Sequence, residues 1–221
     1  MSNKPVVIFD LDDTLYYEID YLKSAYKEIS KLLGKEVSVD YYVIYKEMLE
    51  FYNEGLDVFK SVIKKYCSSF KKEDLLNTYR IHKPNLKLPQ DRIDVLNKLK
   101  TEHVNVGLLT DGRGHQQRNK IHALQLNNWF SEIIISEEFG SEKPNVKNYK
   151  YFEDVFGKGH FFYVGDNLNK DFVTPNSIGW TTICMKDRGV NIHRQNREKV
   201  PNLNYLPHYT INYFNSIVDL I

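Results

Sequence analysis

Five short runs of apolar and β-branched residues punctuate the chain, at residues 6–10, 104–110, 133–136, 161–166 and 181–185. Each is nearly continuous rather than alternating, the pattern of strands covered on both faces in a parallel sheet. Stretches with helical spacing separate the later runs, at residues 114–126, 144–156 and 169–178, and another at 91–100 precedes the second run. Strands alternating with single helices imply right-handed crossovers, hence an α/β fold with a doubly wound, Rossmann-like parallel sheet. Residues 209–212 and 214–221 should add an edge strand and a closing helix.

The interval between the first and second runs is far longer than a crossover requires. Leu22, Ala25, Tyr26, Ile29, Leu32 and Leu33 follow helical spacing, and Gly34 supplies a stop. Asp40 can cap a second helix through Ile44, Met48 and Phe51 that Gly55 ends. Phe59, Val62, Ile63 and Tyr66 mark a third, and Leu75, Leu76 and Tyr79 a fourth before Pro84. The spacing therefore predicts a four-helix cap over residues 16–85, inserted into a core made of residues 1–15 and 86–221. Pro84, Leu86 and Pro89 form its return hinge.

Composition narrows the function classes. With 42% apolar and 27% charged residues the chain should fold throughout. A net charge of +1 with dispersed basic residues offers no footprint for nucleic acid or an anionic membrane, so a small anionic ligand is expected. Cys67 and Cys184 lack metal-ligand spacing and read as small core residues. Residues 1–5 lead straight into a short apolar strand, too brief for a signal peptide or a membrane span, and a cytoplasmic location is the default expectation.

Ligands of open parallel sheets bind beyond the carboxyl ends of the strands. There the first run ends in Asp10-Leu11-Asp12-Asp13-Thr14 and the second in Thr110-Asp111-Gly112. The third leads to Lys143-Pro144, and the fourth ends in Gly165-Asp166 with Asp171 beyond. Carboxylates gathered from the first and fourth strands repel unless a cation lies between them, so Asp10, Asp12 and Asp166 call for a metal. Sparse all-oxygen ligands suit magnesium, which completes its shell with water and phosphate. A phosphoryl group also needs donors, which Thr110, Lys143 and the backbone after Asp10 and Thr110 can supply. Pro144 fits a first helical turn, which would set Lys143 just ahead of a positive helix end.

The four segments FDLDDT, LLTDG, SEKP and VGDNLNKD, in that order, resemble the motifs of the haloacid dehalogenase superfamily, in its phosphatase branch with a helical cap after the first strand. The resemblance spans the whole chain. It implies that Asp10 is the nucleophile, forming an aspartyl phosphate, and that Asp12 is the general acid and base. It implies magnesium held by the Asp10 side chain, the Asp12 carbonyl and Asp166, with Thr110 and Lys143 on the transferring phosphoryl group. Asp171 matches a supporting acidic position that reaches the metal or orients Lys143. Family dehalogenases lack the second aspartate of the first motif, so Asp12 favours phosphoryl transfer, and hydrolysis of a small phosphorylated metabolite is the preferred outcome. A sugar-phosphate mutase keeps the same residues, and a catalytically silent binding module is the remaining alternative.

Residues that would meet the rest of the substrate are read more coarsely. Gly112 suits a tight turn and Asp111 acts chiefly through its N–H. Arg113 is long enough to reach a leaving group or a second phosphate, although a solvated surface position suits an isolated arginine better. Ten of the sixteen tyrosines fall in the insertion. Tyr16 is the candidate for a wall over the site, because it leaves the core beside Asp10. Thr14 is expected to act as a local cap. The first motif resembles those of members acting on sugar phosphates and of members acting on nucleoside monophosphates.

Overall fold

A computed structural model describes residues 4–221, so the reading of Met1 to Asn3 lies outside the described residues. Six parallel strands, β1 (Pro5–Phe9), β2 (Asn105–Thr110), β3 (Glu132–Ile135), β4 (His160–Gly165), β5 (Thr181–Met185) and β6 (Tyr209–Ile211), form one sheet in the order β3-β2-β1-β4-β5-β6. The chain winds outward from β1 in one direction, then returns to β4 on the other side of β1 and winds the opposite way. The reversal lies between β1 and β4, where a crevice opens at the strands' carboxyl ends.

Alternation along each strand feeds two cores. Val7 and Phe9 of β1, with Phe162 and Val164 of β4, pack beneath α5 (Gln90–Thr101), α6 (Gly114–Ala123) and the C-terminal 3-10 helix Phe214–Asp219. Val6, Ile8, Phe161 and Tyr163 face α8 (Val146–Phe156) on the other side, together with Phe172 and Ile178, which flank α9 (Val173–Ser177). A short α7 (Ser136–Phe139) follows β3.

The insertion after β1 contains the four predicted helices, α1 (Glu18–Val37), α2 (Tyr41–Asn53), α3 (Val58–Tyr66) and α4 (Lys72–Ile81), around their own apolar cluster. Asp40 caps α2 as expected, accepting the Tyr42 N–H. Gly34 does not stop α1, which runs on to Val37. A Cβ there would lie 2.7 Å from the Val39 carbonyl oxygen, so the glycine permits a close backbone approach. Cys67 is exposed, whereas Cys184 is buried. Among the described residues no helix is long and apolar enough to cross a membrane.

Two core segments differ from expectation. Asn145 caps α8 by accepting the Lys147 N–H, so the helix begins at Val146 and Pro144 stands outside it. Of residues 169–178 only Val173–Ser177 is helical, because Asp171 draws the preceding backbone into a turn. The long link between β5 and β6, for which the sequence predicts no element, carries two 3-10 turns and folds back across the strand ends.

Candidate active site

Burial of β1 and β4 on both faces delivers Asp10 and Asp166 side by side, and the Asp10 N–H donates to the Val164 carbonyl at 2.8 Å. Asp10, Asp166 and Asp171 are buried, with one carboxylate oxygen from each lying within 4.8 Å of the others. Lys143, 4% exposed, enters from the loop after α7. Its Nζ lies 2.8 Å from Asp10 Oδ1 and 2.8 Å from Asp171 Oδ1. Nζ also donates to the Tyr163 hydroxyl at 3.1 Å.

Asp171 is fixed from behind. Its Oδ2 accepts the backbone N–H groups of Asp166 and Asn167 at 3.1 and 2.8 Å. A Cβ on Gly165 would lie 2.5 Å from that oxygen, so the β4 end must be glycine for the carboxylate to fit. Asp111 holds Lys143 from the other side. Contrary to the expectation that its N–H matters most, its Oδ1 accepts the Lys143 N–H at 3.0 Å and its Oδ2 takes Lys170 Nζ at 2.8 Å.

Burial drives the electrostatics. Desolvation, with Asp171 adding to it and Lys143 opposing it, raises Asp10 to about 7. Desolvation and the charges of Asp171 and Asp10 push Asp166 far above the usual carboxylate range. Lys143 is held firmly protonated because Asp10 and Asp171 outweigh its burial. One ammonium facing three buried carboxylates leaves negative charge that protons or a cation must offset, and an all-oxygen donor set suits a hard divalent ion.

Asp12 meets a different environment. Its burial is outweighed by Lys120 (2.7 Å), with Tyr16 (2.5 Å) and Gln117 (2.8 Å) also donating to it, so its carboxyl is held below the usual range. Gln117 also donates to Thr110 Oγ1 at 2.6 Å and thereby ties the ends of β1 and β2 together. Tyr16 does not form a wall: it is 2% exposed, its ring packs in the core and its hydroxyl is committed to Asp12. Thr14 caps nothing, and its buried hydroxyl has no partner among the described residues.

The cavity at this point measures about 90 Å³ and is lined by Asp10, Asp12, Thr110, Asp111 and Asp166, together with Asp13, Glu18, Asn167, Lys170 and His193. Gly112 and Arg113 line instead a neighbouring open groove, where Arg113 pairs with Glu137 at 2.8 Å and Gly112 donates its N–H to Ser136. The strand-end rule reaches neither Glu18, on the cap, nor His193, on the β5–β6 link. That link is pinned to the site: the Ile192 N–H donates to Asp13 Oδ2 and Asn191 donates to Asp166 Oδ2, each at 2.9 Å. Lys170, within the fourth motif, was legible by its place, and Gln117 and Lys120 share a helix face three residues apart.

Residues 7–185 match the family model described as haloacid dehalogenase-like hydrolase. The chain is 26% identical over 230 residues to a glyceraldehyde 3-phosphate phosphatase of Methanocaldococcus jannaschii, covering 97% of this chain and 96% of that protein. It is 24% identical to the Escherichia coli pyrimidine 5'-nucleotidase YjjG over 132 residues, which cover 58% of this chain and 54% of that one. The fold matches that of the HAD-hydrolase YfnB of Bacillus subtilis, crystallised with magnesium, at a TM-score of 0.67 and 19% identity over 99% of both chains.

Proposed function

The chain belongs to the haloacid dehalogenase-like hydrolases and is an enzyme of their phosphatase kind, and from that premise we propose that it is a magnesium-dependent phosphomonoesterase acting on a small sugar phosphate. The observation that carries this reading is Lys143 clamped between Asp10 and Asp171 beside Asp166, at the point where the winding of the sheet reverses. In this reading residues 16–85 are a cap over a core of residues 1–15 and 86–221.

Asp10 attacks phosphorus while Lys143 and Thr110 hold the phosphoryl oxygens, and the aspartyl phosphate so formed is then hydrolysed. Asp12 gives a proton to the departing oxygen and takes one from the attacking water. As a carboxylate held by Lys120 it is ready to accept that proton. A dianionic phosphoryl group nearby raises its pKa and favours loading it for the first step. Asp10, Asp166 and the Asp12 carbonyl would hold the magnesium, with Asp171 orienting Lys143; the ion, when bound, offsets the carboxylates and withdraws charge from the phosphoryl oxygens.

The cavity beside Asp10, about 90 Å³, has room for a phosphoryl group and opens to solvent, so the rest of the substrate extends past it. The Methanocaldococcus relative matches nearly the whole chain and the Escherichia coli one 58% of it, which supports a triose-sized phosphate, the substrate class in the name of the first, over the nucleotide in the name of the second. Asp10→Asn should remain folded and lose p-nitrophenyl phosphate hydrolysis by several orders of magnitude; turnover near that of the unmodified protein would refute the nucleophile.

A further inference from the structure

A second buried ammonium touches none of the reacting atoms in the steps above but holds Asp12. Lys120 lies on α6, and its side chain is 1% exposed. Nζ is 2.7 Å from Asp12 Oδ1 and 3.6 Å from Glu18 Oε1, and it stands 4.7 Å from the centre of the Tyr21 ring. Glu18 and Tyr21 are three residues apart on α1, so one face of that helix shields the ammonium from water. Gln117, three residues before Lys120, holds the other Asp12 oxygen. Both oxygens of Asp12 are thus gripped from one face of α6, and the ion pair is screened little because it is desolvated.

We infer that Lys120 is a positioning residue that aims the Asp12 carboxyl at the leaving oxygen. The inference rests on the reading of Asp12 as acid and base. In the first step the Asp10 oxygen bonds to phosphorus as the phosphorus–oxygen bond to the alcohol breaks; its electron pair stays on the alcohol oxygen, which takes the Asp12 proton. In the second, a water oxygen bonds to phosphorus, the bond to Asp10 breaks with its pair returning to the carboxylate, and the water proton passes to Asp12. An alkyl leaving group needs the first proton, whereas p-nitrophenolate departs without it. A residue acting through Asp12 must therefore matter more for alkyl phosphates.

The experiment measures kcat/KM for glycerol 3-phosphate and p-nitrophenyl phosphate in the unmodified protein, Lys120→Met, Lys120→Arg, Asp12→Asn and the double variant Asp12→Asn/Lys120→Met. General acid–base catalysis is worth about 10²–10⁴-fold, so Lys120→Met should lower the glycerol phosphate value about tenfold or more beyond any change with p-nitrophenyl phosphate. Lys120→Arg should restore most of that ratio. In the Asp12→Asn background Lys120→Met should add no further bias. Equal losses on both substrates, or an undiminished bias added on top of Asp12→Asn, would overturn the inference. Should Lys120→Met fail to fold by circular dichroism, Lys120→Gln is read by the same ratios. If Asp12→Asn itself shows no preference between the substrates, the acid–base reading fails; if it does and the Lys120 variants do not, only the positioning role fails.

Discussion

Magnesium affinity should strengthen as pH rises from 6 to 8. Asp10 lies at about 7 without a cation, because burial and the neighbouring Asp171 outweigh Lys143. A divalent ion needs the carboxylate form. At pH 6 roughly nine-tenths of the molecules hold a proton at Asp10, and at pH 8 roughly one-tenth do. That competition alone weakens binding at pH 6 by about tenfold, or about 1.4 kcal/mol. Asp166, raised by burial and by Asp171 and Asp10, acts in the same direction and makes tenfold a minimum. The sign carries over to folding. A carboxyl raised in the folded state contributes stability that is complete below its unfolded pKa of about 3.9 and is lost as pH rises through its folded value. Metal-free protein should therefore be less stable at pH 8 than at pH 6, and magnesium should stabilise it more at pH 8. Isothermal titration calorimetry in buffers of different ionisation enthalpy reads both the affinity and the protons released. Equal affinities at pH 6 and 8, or no proton release at pH 6, would refute the electrostatic account.

Gly165→Ala places a Cβ 2.5 Å from Asp171 Oδ2. It should cost about 1–3 kcal/mol in urea unfolding as an overpacked site and, by displacing the partner of Lys143, lower turnover more than tenfold; unchanged stability and rate would show that Asp171 can move freely. Calcium in place of magnesium should inhibit p-nitrophenyl phosphate hydrolysis, since the larger ion takes more ligands in looser geometry. Full activity in calcium alone would contradict the metal assignment.

The strands were legible because burial on both faces leaves almost no polar position within them, and the residues at their ends inherit that clarity. Asp10, Thr110 and Asp166 come together for this reason, and Lys143 joins them from the loop after α7. Gly34 misled because helical spacing cannot distinguish a glycine that ends a helix from one that lets Val39 approach. The turn before α9 was hidden because Asp171 competes for backbone N–H groups, a tertiary effect absent from periodicity. Lys120 and Tyr16 gain their roles only when α6 and the first turn of the cap meet over Asp12. The β5–β6 link is polar and irregular, and its reach to Asp13 and Asp166 has no periodic signature.

The account turns on a covalent phosphoryl group at residue 10. Protein quenched during steady turnover of a triose phosphate with magnesium, then reduced with borohydride and digested, should yield a peptide in which Asp10 alone has become homoserine. Homoserine at another aspartate, or none at any position while turnover proceeds, would contradict it.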